Sequence, residues 1–317
     1  MKLLHKMKVL LKKFFIFAFL LSSFSQLCTA EGLKSITLPF PKWWEPANLS
    51  IFRQAYPEVE FISEYDSEKN DWLIHIKTKT KNGQAKATSL YWCESRFLPE
   101  KELKNKDNFR PMLYPYQLKT RDPSTFTEKE IELIKDYTSR ENRKNGAIEP
   151  PFFHNAIFDC ETRASTESHI KTYEFLTLQV NVHEQIYKPL KRVHKRVMEL
   201  PRDEEMDRFL KSLTRTDGFA WRSVRDTQSR SYHSIGLAID ILPKGYYQRI
   251  IYWGWQKQLR PDDWYMTPLS KRWTPPQRVI DIFAEEGFIW GGNWVVWDNM
   301  HFEYHPELII YAKKNNR

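Results

Sequence analysis

The chain is poor in glycine, with ten in 317 residues, and has no long low-complexity tract, so wholesale disorder is excluded. Cysteine is scarce as well: Cys28, Cys93 and Cys160 are the full set, and none has the close spacing of a zinc knuckle or a redox pair. The apolar run Phe14 to Leu21 is too short for a comfortable membrane span. A strong charge of one sign is also missing. The first thirty residues account for five of the nine net positive charges, leaving a mild surplus of four. That does not support nucleic-acid binding, though it suits loose attraction to an anionic wall or membrane surface.

The N-terminus has a pattern of its own. Lys2, Lys6, Lys8, Lys12 and Lys13 form a positive region, Phe14 to Leu21 an apolar one, and Cys28-Thr29-Ala30 ends in small residues. Residues 1–30 read as a signal peptide cleaved after Ala30. The protein is therefore expected to be exported, periplasmic or in the cell envelope or outside it, with no integral span after leader removal. The alternatives are an uncleaved anchor or a lipid on Cys28, although Leu27 is bulky for a lipobox. Cys93 and Cys160 remain, and an oxidising compartment makes a disulfide between them the simplest expectation.

Length suits two modest domains, or one domain with a large extension. Residues 31–160 read as a smaller, mostly β N-terminal region of unknown role, and 161–317 as a second domain. Pro39 to Pro46 should be extended. Val59 to Tyr65, Trp72 to Lys79 and Ala87 to Trp92 read as strands, the last two joined by the turn Lys81-Asn82-Gly83. Thr127 to Glu130 has capping-box spacing and starts a helix to about Thr138. Apolar residues at three- to five-residue spacing predict one long helix from Thr166 to Met198, interrupted by Pro189 and carrying His183 near its apolar face. Glu204 to Leu213 and Pro276 to Glu286 are further helices, the latter ending at Gly287.

Two short segments carry the chemistry. Ser231 to Asp240 reads S-Y-H-S-I-G-L-A-I-D, and Trp297 to Tyr304 reads W-D-N-M-H-F-E-Y. Leu237 to Ile241 and Met300 to Tyr304 alternate as strands, which sets Ala238 and Asp240 on one face and His301 and Glu303 on another. Catalytic zinc takes three protein ligands and keeps a position for water. His233, Asp240 and His301 supply two imidazoles and a carboxylate for Zn2+. Asp298 lies three residues before His301, placed to take a proton from water without being a ligand. Gly236 allows the chain to turn between loop-borne His233 and strand-borne Asp240. Glu303 is either a partner that orients a ligand or a solvated strand residue. The tryptophans Trp253, Trp255, Trp264 and Trp273 are core or groove wall.

The pattern S-x-H-x-x-G-x-A-x-D followed by D-x-x-H-F-E resembles the zinc D-Ala-D-Ala carboxypeptidase and L-alanyl-D-glutamate endopeptidase family, the VanX/VanY-like peptidoglycan metallopeptidases. The resemblance is tight over 221–240 and 287–304, looser over about 165–312, and absent before 160. It implies an α+β fold, with an antiparallel sheet and flanking helices of the hedgehog/DD-peptidase type in the C-terminal half. It implies His233, Asp240 and His301 as metal ligands, Asp298 as catalytic acid/base, Arg222 as stabiliser of the oxyanion and a substrate contact, and Ser231 as a residue near the substrate. The implied substrate is a peptidoglycan stem peptide, cut most simply as a D-alanyl-D-alanine carboxypeptidase. The aspartate at 298, where many carboxypeptidases have glutamate, leans toward an endopeptidase. Two alternatives remain: a wall-binding module that holds zinc without catalysis, and a structural envelope protein in which residues 31–160 carry the function by binding a partner. Oligomeric state is left open.

Overall fold

In the computed structural model, which describes residues 45–79 and 83–315, helix α1 (Leu49–Ala55) leads into three strands, β1 (Glu60–Asp66), β2 (Asp71–Lys79) and β3 (Ala85–Tyr91). They pair antiparallel in sequence order. The leader, the Pro39–Pro46 segment up to residue 44 and the Lys81-Asn82 half of the turn lie outside the described residues. Alternation places Ile74 and Ile76 of β2 inward with Leu90 of β3. There they join a cluster of aromatic rings in which Phe52 meets Trp92, Phe97 and Phe153 edge-on at 5.9, 4.8 and 5.2 Å. Helix α2 (Glu128–Tyr137) starts at the expected capping box: the Thr127 side chain accepts from Glu130 N–H, and the Glu130 side chain accepts from Thr127 N–H. Short helices α3 (Arg140–Asn145), α4 (Phe152–Phe158) and α5 (Arg163–His169) follow.

The long helix expected over Thr166 to Met198 is not formed. The segment divides into α5, a hairpin of β4 (Ile170–Phe175) and β5 (Leu178–His183), and helix α6 (Tyr187–Met198). In β5, half-buried Leu178 and buried Val180 and Val182 alternate with exposed Gln179 and Asn181, a two-residue period that the wider apolar spacing had masked. Leu176 turns the hairpin at φ +54°. Pro189 does not interrupt a helix. It is the third residue of α6, where its absent N–H is one that a first turn leaves unpaired anyway. His183 thus ends a strand. Its Nδ1 accepts from Gln185 N–H at 3.2 Å, and its Nε2 lies 2.9 Å from the Phe158 carbonyl.

After α7 (Glu204–Ser212), a four-stranded antiparallel sheet forms from β6 (Leu213–Asp217), β7 (Ala238–Pro243), β8 (Phe288–Trp290) and β9 (His301–Tyr304), in the order β6-β7-β9-β8. The insertion between β7 and β8 holds α8 (Trp253–Leu259) and α9 (Gln277–Glu285). Phe283 of α9 stacks on Phe302 of β9 at 3.9 Å, which seals one face of the sheet. Trp253, Trp264 and Trp297 form a small core of their own. The last helix, α10 (Pro306–Asn315), packs beside α1. The main hydrophobic core therefore runs from Leu49 to Ala312, and the described residues form a single compact α+β unit.

The expected disulfide is also absent: Cys93 and Cys160 are both buried free thiols. Cys93 packs with Leu98 and Phe109, whereas Cys160 belongs to the main core with its Sγ 3.4 Å from the His154 carbonyl. Different packing clusters hold them, and burial raises the pKa of both, to about 12 for Cys160. No helix among the described residues is long and apolar enough to cross a membrane.

Candidate metal centre

Strand register brings the first two groups together. In the β7–β9 pair, Asp240 stands directly opposite His301, and Ala238 opposite Glu303. A residue with a small side chain next to Asp240 on that face leaves room above the carboxylate. His233 arrives from the 3₁₀ turn Tyr232–Ile235, which ends on Gly236 at φ +70°. Only glycine fits there: a Cβ would lie 2.7 Å from His183 N and 2.6 Å from Ile170 Cδ1.

Three ligand atoms converge on one point. His301 Nδ1 is 2.7 Å from Asp240 Oδ1, His233 Nε2 is 3.2 Å from Asp240 Oδ1, and His233 Nε2 is 3.2 Å from His301 Nδ1. Ligands about 2.0–2.1 Å from a tetrahedral zinc stand roughly 3.3 Å apart, so the triangle has the right size and donor set. The outer nitrogens are fixed as metal-ligating imidazoles need. His233 Nδ1 donates to the Gly218 carbonyl at 2.6 Å, and His301 Nε2 faces Glu303 Oε1 at 2.8 Å. His233 is 2 % exposed and Asp240 13 %, so the cluster is enclosed but open on the carboxylate side. Burial resists ionisation of Asp240, yet the two imidazoles hold its carboxyl well below the usual range.

Asp298 sits beside this cluster. Gly291 accepts its N–H at 3.0 Å and packs so closely that a Cβ on residue 291 would lie 2.6 Å from the Asp298 carbonyl oxygen. Its Oδ1 is buried with no hydrogen-bond partner among the described residues. Burial, reinforced by the Asp240 charge, raises its carboxyl to about 7. An unpartnered buried acceptor next to three ligand atoms is what a proton-accepting group for a bound water looks like.

Ser231 and Arg222 lie on the segment that leads into the His233 turn. The Ser231 hydroxyl is buried and caps the 3₁₀ turn, accepting from His233 N–H at 3.3 Å. Arg222 is exposed on the loop before that turn, where its carbonyl accepts from Ser231 N–H at 3.2 Å. Its charge is felt at Tyr252. Burial and the Asp298 charge raise the Tyr252 phenol, while Arg143, Arg225 and Arg222 oppose them. Tyr252 itself pairs through its backbone with Asp298. It gave no signal in the sequence, since the pairing joins residues far apart in the chain.

Behind His301 a buried chain of bonds extends inward. Glu303 Oε2 meets His305 Nε2 at 3.3 Å, His305 Nδ1 meets Glu307 Oε1 at 2.7 Å, and the Tyr56 hydroxyl donates to Glu307 Oε2 at 2.7 Å. Burial opposes the charge on Glu303, but the bonds to both histidines hold its carboxyl at about 2. Burial likewise opposes charge on His305, yet Glu307 and Glu303 raise it to about 10. Tyr56 belongs to the segment linking α1 and β1, so the N-terminal region touches the far end of this chain. Glu303 thus orients a candidate ligand and is not a solvated strand residue. His154, His305 and Glu307 form a second close group of ligand types, but there both nitrogens of His305 and both carboxylate oxygens of Glu307 are already taken by protein partners.

Residues 225–304 match the family model of a peptidase described as D-alanyl-D-alanine carboxypeptidase. The match spans Ser231, His233, Asp240, Asp298 and His301 and stops short of Arg222. Residues 48–114 match a domain of unknown function. No curated protein and no solved structure matches the chain.

Proposed function

We propose that the protein is an exported zinc metallopeptidase that hydrolyses peptide bonds in peptidoglycan stem peptides, as a D-alanyl-D-alanine carboxypeptidase. One observation carries the reading: His233, Asp240 and His301 form a ligand triangle of 2.7 to 3.2 Å, and at its side stands the buried carboxylate of Asp298, whose Oδ1 has no hydrogen-bond partner among the described residues. The peptidase match over the same residues supports it. The N-terminal leader pattern supports export.

His233 Nε2, His301 Nδ1 and Asp240 Oδ1 would hold the ion. When bound, Zn2+ acidifies water and polarises a carbonyl. Gly218 and Glu303 keep the two imidazoles in the tautomer that leaves these atoms free. Asp298 accepts the proton of the attacking water and returns it to the leaving amine. Burial favours its protonated form, which suits a group that takes a proton from water and holds it for the leaving amine. Arg222, on the exposed loop by Tyr252, opposes the negative charge that grows on the carbonyl oxygen.

The test is digestion of purified muropeptides with zinc-loaded protein, read by mass spectrometry. Loss of a terminal alanine is the expected product; a cut inside the stem would identify an endopeptidase. The Asp298→Asn variant should bind zinc as the wild type does and lose about 10²- to 10⁴-fold in turnover. Full activity of that variant, or turnover that survives exhaustive chelation, overturns the mechanism.

A further inference from the structure

Beside the centre lies a cavity of about 730 Å³. One wall comes from Thr138 and α3 of the N-terminal region, the other from the loop Arg225 to Gln228 and from α8. Its charge is one-sided: Arg140, Arg143, Lys144, Arg225 and Lys257 face a single acid, Asp226. Arg225 is 3.8 Å from Asp226, and none of the other four cations forms an ion pair with a described carboxylate. A larger cavity of about 960 Å³ elsewhere mixes both signs, with Arg208, Arg249 and Arg272 near Glu205 and Asp281.

Two of the cations are held in place. The Arg143 guanidinium lies 5.2 Å and Lys257 Nζ 5.9 Å from the Trp253 ring centre. Arg143 also donates to the Arg225 carbonyl, Lys257 to the Thr138 carbonyl, and Gln228 to the Lys144 carbonyl, so both walls are tied together. Burial and the nearby Arg143 lower the Lys257 pKa, as expected for like charges crowded in a partly dry space. An anion is the ligand that relieves such crowding.

Tyr252 links the cavity to the candidate centre. Tyr252 lines it and pairs through its backbone with Asp298. We propose that this cavity is an anion subsite that receives carboxylates of the peptide cut at the neighbouring centre, at positions away from the scissile bond. It rests on the peptidase reading above and adds to it a selection for acidic peptides, made by side chains that lie mostly outside the matched segment. Guanidinium forks suit carboxylates, which they bind two bonds at a time.

The experiment uses the full chain and two synthetic peptides with the same scissile bond. One carries free carboxylates distal to the bond; in the other they are amidated. The wild type should prefer the free acid by about tenfold in kcat/KM, mainly through KM, since a charged hydrogen bond is worth that much. The preference should shrink as salt rises. The double variant Arg140→Gln, Lys144→Gln changes two exposed residues, so its fold is safe. It should lose the preference yet cleave the amidated peptide as before. Equal cleavage of both peptides by the wild type, or an equal loss on both in the variant, overturns the subsite. Inhibition by a phosphate-bearing polymer where the acidic peptide does not compete reassigns the cavity to phosphate and also overturns it. If neither peptide is cleaved, the peptidase reading fails by itself. Titration calorimetry with the two uncleaved peptides then decides the cavity: tighter, salt-sensitive binding of the free acid supports it, and equal binding rejects it.

Discussion

His301 shows how one side chain ties chemistry to packing. Its Nδ1 points to Asp240 and its Nε2 to Glu303, so the ring cannot rotate without breaking one bond. Replacing Glu303 with Gln keeps the size and removes the charge. We expect zinc affinity to fall about 10- to 100-fold with the fold intact, checked by competition with a chromophoric chelator. Other buried histidines govern the response to pH. Burial, the main cause, lowers His154 to about 3 and His183 to about 4, so both are neutral in the folded protein and protonate on unfolding below pH 6.5. Unfolding takes up protons there, and stability falls with pH by up to about 1.4 kcal/mol per pH unit for each. His305 has the opposite sign. Raised to about 10, it keeps a proton that the unfolded chain releases, so its contribution is full below pH 6.5 and is lost as pH rises toward 10. From these three groups the melting temperature should peak near pH 6.5 and drop on either side. In His154→Phe the acid limb should flatten, and an unchanged limb would remove His154 from the account. Of the site residues, His233, Asp240, Asp298 and His301 were legible because their spacing is local. The role of Tyr56 and Glu307 was not, since each acquires its partner only through the fold.

Among elements, the 3₁₀ turn and β7 carry the centre, and Gly236 is their joint. An alanine there meets φ +70° and a Cβ 2.7 Å from a backbone nitrogen. Gly236→Ala should cost at least about 1 kcal/mol in chemical denaturation and weaken zinc binding, because relief of the clash moves His233. Strands with strict alternation, such as β2 and β9, were readable in advance, as was the cap of α2. The hairpin β4–β5 was not. Ile170, Phe175, Leu178 and Val182 satisfy a helical spacing as well as they satisfy a strand's. The pairing of Ile170 with His183 and of Phe175 with Leu178 settles the matter only once the strands meet. The same ambiguity made Pro189 look like a helix breaker when it is a first-turn residue.

For the whole molecule, the core decides more than the motifs do. Phe153 is fully buried, with Phe52, Phe61 and Phe97 around it. It lies in the same core as Phe283 and Phe302 under the metal-bearing sheet. Phe153→Ala should lower stability by about 3–5 kcal/mol, and because the core is shared, the N-terminal region and the centre should unfold in one transition. Loss of zinc binding at a lower denaturant concentration than loss of near-UV signal would contradict that coupling. By itself the sequence determined which side chains can ligate a metal and which can accept a proton, because ligand chemistry and short-range spacing are properties of residue types and of strand period. Tertiary structure alone decided that the two motifs face each other as Asp240 opposite His301, that Cys93 and Cys160 stay apart, and that α3 supplies three of the five cations of one cavity. Those depend on strand register and on packing between distant segments, which no local pattern encodes.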